Sequence, residues 1–232
     1  MAPGHGVDSG SEGVGEVGTA GGHRHSQGPG DGHMNQGWRY DVLVWWMDTF
    51  RVGGRIRRLR RTVLERTAIG SGDSLLDVGC GSGTLALNAG RRVSPNGRAA
   101  GIDPTRGQIS WARRKAKWLG RAVDFQEGSI DSLPFPDESF DAVTSTLMLH
   151  HLSPEMRRAG LREVARVLRP GGRLVVADFD PVPDQDAGHD PAGQLAGLLE
   201  MNGFTHLSTD RIAFPRSHRG WIGATIVAAG KQ

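Results

Sequence analysis

From Gly72 onward the chain alternates between two hydrophobic rhythms. Short apolar runs at Ser74 to Val78, Arg98 to Asp103, Ala122 to Gln126, Phe140 to Thr146, Arg173 to Phe179, Thr205 to Ile212 and Ala224 to Ala229 have the length of buried strands. Between most of them, apolar residues recur every three or four positions, at Thr84 to Arg92, Arg106 to Leu119, Pro154 to Leu168 and Ala192 to Asn202. Strands that alternate with helices bury both of their faces only when helices cover both sides of a mostly parallel sheet. The pattern therefore predicts a Rossmann-like α/β fold with seven strands. The stretch Ala213 to Gly223 carries no helical pattern and is short for a crossover, so an antiparallel C-terminal edge strand is expected.

Ahead of this core the pattern changes twice. Val52, Ile56, Leu59, Val63 and Leu64 recur at helical spacing while Arg57, Arg58, Arg60 and Arg61 fill much of the remaining surface. This reads as an amphipathic helix packed on a larger body, with its arginines on a solvated face. The aromatic group Trp38, Tyr40, Trp45, Trp46 and Phe50 either anchors that front segment or walls a pocket for an apolar ligand. Residues 1–33 are mostly Gly, Ser, His and acids, with too few apolar groups to offset the entropy of ordering them. The expected organisation is a disordered leader over 1–33, a helical cap or lid over 34–67 and a core over 68–232.

Composition narrows the classes. The 28 Lys and Arg nearly balance the 25 acids, a formal charge of +3, so charge gives no argument for a nucleic-acid partner. A single cysteine, Cys80, excludes an intramolecular disulfide, and no apolar run reaches the ~20 residues of a membrane span. A reduced, cytoplasmic setting is expected. His5, His23, His25 and His33 fall in the leader, where no ligand geometry is implied, and no metal site is assigned.

The strongest motif is Leu75-Leu76-Asp77-Val78-Gly79-Cys80-Gly81-Ser82-Gly83-Thr84, a buried strand that breaks into glycines and opens a helix. Glycines at such a turn let backbone approach a ligand, and the helix beyond presents free N–H groups. A dinucleotide loop would read GxGxxG; here the glycines fall at 79, 81 and 83 with Thr84 following, which is the wrong spacing for NAD. The string Asp77 to Gly83 resembles the first motif of class I S-adenosylmethionine-dependent methyltransferases. Gly101-Ile102-Asp103, the run from Gln126 to Asp141, Leu147 to Leu152 and Glu163 to Leu174 extend the likeness. Within that family the sequence resembles the ubiquinone/menaquinone biosynthesis C-methyltransferase-like group.

The resemblance implies S-adenosyl-L-methionine as methyl donor and a small, apolar molecule as acceptor. It implies that Asp77, Gly79, Gly81 and Ser82 surround the methionine and loop end of the donor and that Asp103 holds ribose. Ser129 and Ile130 then frame adenine, with Ser129 standing where relatives often carry an acid, and Thr146 lines the donor site. His150 is the candidate proton acceptor, since a neutral imidazole suits that task near neutral pH. Asp178, Asp180, Asp184, Asp186 and Asp190 with His189 form an acidic stretch without the spacing of a known cation loop. Two other readings stay open: an RNA or protein methyltransferase, and a non-catalytic S-adenosyl-ligand-binding regulatory protein.

Overall fold

The computed structural model describes residues 54–181, 191–213 and 221–231. The leader, the aromatic group between Trp38 and Phe50, and Asp184, Asp186, His189 and Asp190 lie outside the described residues. Helix α1 (Arg55–Arg66) precedes an alternation of β1 (Ser74–Val78), α2 (Thr84–Val93), β2 (Arg98–Asp103), α3 (Arg106–Trp118), β3 (Val123–Glu127) and β4 (Phe140–Thr146). A short 3-10 turn (Leu149–His151) leads to α4 (Pro154–Val167), β5 (Leu168–Pro181), α5 (Pro191–Glu200), β6 (Phe204–Ala213) and β7 (Trp221–Lys231). No helix among the described residues is long and apolar enough to cross a membrane.

The strands form one sheet in the order β3-β2-β1-β4-β5-β7-β6. Pairings from β3 through β5 are parallel, and β7 runs antiparallel to both β5 and β6. The C-terminal strand is thus antiparallel, as expected, and lies one place in from the edge, which β6 occupies. β1 pairs with β2 on one side and β4 on the other: the chain steps outward from β1 through β2 to β3 and then crosses back to β4, so strand order reverses at the β1/β4 border. Open α/β sheets bind ligands at that switch, outside the carboxyl ends of the strands.

Strand alternation divides the core in two. Leu76, Val78, Val143, Leu174 and Val176 face Leu161 and Val164 of α4 and Leu199 of α5. Leu75, Ala142, Val175, Ala177 and Ile226 face Leu59 and Val63 of α1 and Leu85 and Ala89 of α2. By the same alternation Asp77 shares the α1/α2 side with Leu75. Helix α1 begins after Gly54, and its Leu59 and Val63 are fully buried on that side. Helix α4 starts where its sequence directs: the Ser153 hydroxyl accepts the Met156 N–H at 3.2 Å, Pro154 supplies a preset φ, and Glu155 lies in the first turn. β5 starts earlier than its apolar run, because Leu168 pairs with Phe140 across a bulge that takes up Pro170, Gly171 and Gly172.

Candidate active site

Beyond β1 the chain turns through Gly79 (φ 71°), Gly81 (φ 51°) and Gly83 (φ 78°) before α2 begins. The Gly79 and Cys80 N–H groups both donate to the Ile102 carbonyl, at 2.8 and 3.0 Å, and pin the loop to the end of β2. The Gly81 N–H donates to Asp103 Oδ2 at 2.9 Å, while the Thr105 N–H donates to Asp103 Oδ1 at 2.9 Å. One backbone donor therefore fixes each oxygen of the Asp103 carboxylate, and the acid and the glycine loop form a single unit. The three glycines differ in what a side chain would meet. A Cβ at Gly83 would fall 2.4 Å from the Phe125 ring and one at Gly79 2.5 Å from Met148 Cγ, whereas one at Gly81 would meet nothing within 4 Å. Gly79 and Gly83 are needed for packing. Gly81 borders open space, a cradle into which ligand atoms can come close to backbone.

Burial sets the electrostatics. Asp77, only 2% exposed, accepts the Thr144 hydroxyl at 2.8 Å. Desolvation pushes its carboxyl up to about 7, against the pull of the Thr144 hydrogen bond and of the Arg60 charge. Burial likewise raises Asp103, opposed by the Thr105 and Gly81 N–H groups. Cys80 is raised well above an ordinary thiol by burial and by the neighbouring Asp77 and Asp103, which leaves it protonated and unreactive. The Ser82 hydroxyl is turned toward α3, where Lys115 Nζ donates to it and to Thr84 Oγ1, each at 3.2 Å.

The remaining residues expected in the site divide between the ends of β3 and β4. Gly128 N–H donates to the Asp103 carbonyl at 3.2 Å, which sets the half-buried Ser129 and the buried Ile130 beside the end of β2. The Ile130 side chain belongs to the core: a Cβ on Gly160 of α4 would lie 2.6 Å from it. Any contact from Ile130 to a ligand is consequently one of backbone. At the end of β4 the hydroxyls of Ser145 and Thr146 are buried with no hydrogen-bond partner among the described residues. Such groups cost free energy unless something satisfies them, so Thr146 stands as an unmet polar group at the switch point.

Leu147 then takes φ 58°, its N–H donating to the Ala177 carbonyl at 2.7 Å, and the chain turns sharply into the 3-10 turn. This turn brings His150 over Asp178 on β5. The His150 backbone N–H reaches Asp178 Oδ2 at 2.9 Å, and His150 Nδ1 lies 2.6 Å from Oδ1. One carboxylate thus grips the residue at two points. A proton on Nδ1 satisfies that acid, and in that tautomer Nε2 is the acceptor nitrogen of the ring. The His151 ring centroid lies 3.9 Å from that of His150, and burial first, then repulsion from His150 when that ring is protonated, hold the His151 pKa down. Asp180 serves a different purpose, accepting Thr225 Oγ1 and Arg211 Nε at 2.6 Å each. The two described acids of the acidic stretch therefore orient a histidine and tie the antiparallel strands.

Three participants were invisible along the sequence: Thr144 as partner of Asp77, Asp178 as partner of His150, and Met148 as the side chain covering Gly79. Each is a contact between residues far apart in the chain.

The arrangement is one that known proteins share. Residues 75–172 match a methyltransferase domain. The chain is 40% identical to the uncharacterized methyltransferase YcgJ of Bacillus subtilis, over 68% of each chain. It belongs to the class I S-adenosylmethionine-dependent methyltransferases. Within them it is similar to the ubiquinone/menaquinone biosynthesis C-methyltransferase UbiE of Hahella chejuensis, at 34% identity over 61% of this chain and only 55% of that one. Among solved structures, the [4+2]-cyclase SpnF superposes with a TM-score of 0.66 at 26% identity, over 84% of this chain and 94% of that chain.

Proposed function

We propose that the chain transfers the methyl group of S-adenosylmethionine to a small, apolar acceptor. The observation that carries this reading is the unit formed by the glycine loop and Asp103, a carboxylate fixed at both oxygens beside a glycine that faces open space. In it, Asp77, Gly79, Gly81 and Ser82 border the methionine end of the donor, Asp103 accepts hydrogen bonds from ribose, and Ser129 with the Ile130 backbone frames adenine. The buried Thr146 hydroxyl gains a partner on the same side.

When bound, the donor supplies a methyl carbon that is already electrophilic. The chain's own work is to hold an acceptor atom in line and to receive its proton. His150 takes that proton at Nε2 as the new bond to carbon forms and the sulfur–carbon bond breaks, giving S-adenosylhomocysteine and the methylated product. Asp178 keeps the imidazole in the required tautomer and stabilises its charged form. An apolar acceptor fits a relative whose name places its chemistry in quinone biosynthesis.

The test is incubation of the protein with methyl-labelled donor and a panel of apolar phenols and quinols, read by mass spectrometry for a methyl gain. Labelled product that disappears with His150→Ala supports the reading. Donor binding without product across the panel overturns it in favour of a donor-binding protein with another task, a reading to which the likeness to a cyclase lends weight.

A further inference from the structure

Helix α3 and the turn after it carry Arg106, Arg113, Arg114, Lys115, Lys117 and Arg121 without a single carboxylate between Asp103 and Asp124. The protein as a whole is nearly balanced in charge, so this run is a local concentration. Its outer end is also apolar. Trp118 is 69% and Leu119 58% exposed, two of the three large hydrophobic side chains that stand exposed among the described residues. Trp118 packs edge to face on Trp111, with centroids 5.2 Å apart, and Arg114 lies one helical turn before it. Arg114 and Lys117 are exposed and make no ion pair among the described residues. The nearest acid beyond the turn, Asp124, is already held by Arg98 at 3.2 Å.

We infer that this tip, Trp118 and Leu119 within a collar of Arg114, Lys117 and Arg121, is a peripheral docking surface for an anionic phospholipid bilayer. Indole rings favour the boundary between headgroups and acyl chains, leucine gains by entering it, and cations beside them meet lipid phosphates. Each cation brought to an anionic leaflet strengthens association about five-fold. A nucleic-acid surface would use the arginines but would gain nothing from an exposed leucine. Because α3 joins two parallel strands, it runs antiparallel to them, and its tip lies at the opposite end of the sheet from the glycine loop. Docking there leaves the donor site open, and this inference stands independently of the proposed reaction.

Co-sedimentation of the full chain with vesicles of phosphatidylcholine alone, and of phosphatidylcholine with phosphatidylglycerol, tests it. The chain is expected to bind the anionic vesicles and not the neutral ones. Binding should fall about 25-fold in Arg114→Gln/Lys117→Gln and be lost in Trp118→Ser/Leu119→Ser, with the thermal midpoint of both variants unchanged. Three results would overturn the inference: no vesicle binding by the wild type, binding undiminished in the charge variant, or single-stranded RNA bound through these residues while vesicles are not.

Discussion

Asp77 holds a carboxyl group where water cannot reach it, and its acidity is set by that burial more than by its neighbours. A carboxyl raised to about 7 in the fold and ionising near 4 in the unfolded chain binds more protons when folded. The ligand-free protein therefore loses stability from this group as pH rises from about 4 to about 7, with no further change above. Asp77→Asn is expected to raise the thermal midpoint of the ligand-free protein at pH ~8. In the proposed donor site the ionised form is the one that faces the donor's ammonium. Donor affinity should accordingly rise about ten-fold between pH ~6 and ~8, a slope that Asp77→Asn abolishes in calorimetric titrations. The glycines separate folding from binding at the same scale. Gly83→Ala forces a methyl into the Phe125 ring at φ 78° and should cost ~3 kcal/mol in urea unfolding. Gly81→Ala bears only the backbone penalty of φ 51°, ~1 kcal/mol, yet should cripple donor binding because its methyl enters the open cradle.

At the scale of elements, what the sequence shows and what it hides follow from how far apart the contacting residues are. The parallel strands and their helices were legible because each satisfies its own hydrophobic period, and the glycine loop because its spacing is local. Asp103 was legible as the acid closing the next strand. The cross-strand pairs were not. Asp77 meets Thr144 only because the β1–β4 register places them side by side, and His150 meets Asp178 only because Thr146 aligns with Ala177 on β5. No local pattern encodes a register. The start of β5 was hidden for another reason: its bulge holds Pro170 and two glycines, which read as a turn. Asp178→Ala should lower kcat about ten- to hundred-fold while leaving the donor Kd within about two-fold, as measured by steady-state kinetics and titration. Leu59→Ala in α1 should cost ~3 kcal/mol in equilibrium unfolding, since that fully buried side chain packs with Leu75, Val175 and Ile226 in the core.

For the molecule as a whole, strand order explains why two kinds of residue come together. β2, β3 and the loop after β3 lie on one side of β1 and carry Asp103, Ser129 and Ile130; β4, the turn after it and β5 lie on the other and carry Thr146, His150 and Asp178. The glycine loop leaves from β1 at the switch between them. In the proposed reaction, ribose and adenine recognition by Asp103, Ser129 and Ile130 and proton handling by His150 and Asp178 fall on opposite flanks of the switch point, and variants on each flank should fail in different measurements. The claim on which the rest depends is that the loop and Asp103 form an S-adenosyl site. Isothermal titration with S-adenosylhomocysteine addresses it most directly, using the wild type and Asp103→Ala, with NAD as the competing ligand. Micromolar binding by the wild type, weakened at least about 50-fold in Asp103→Ala and undisturbed by NAD, is the predicted result. An absence of binding, equal binding by the variant, or displacement by NAD would contradict it.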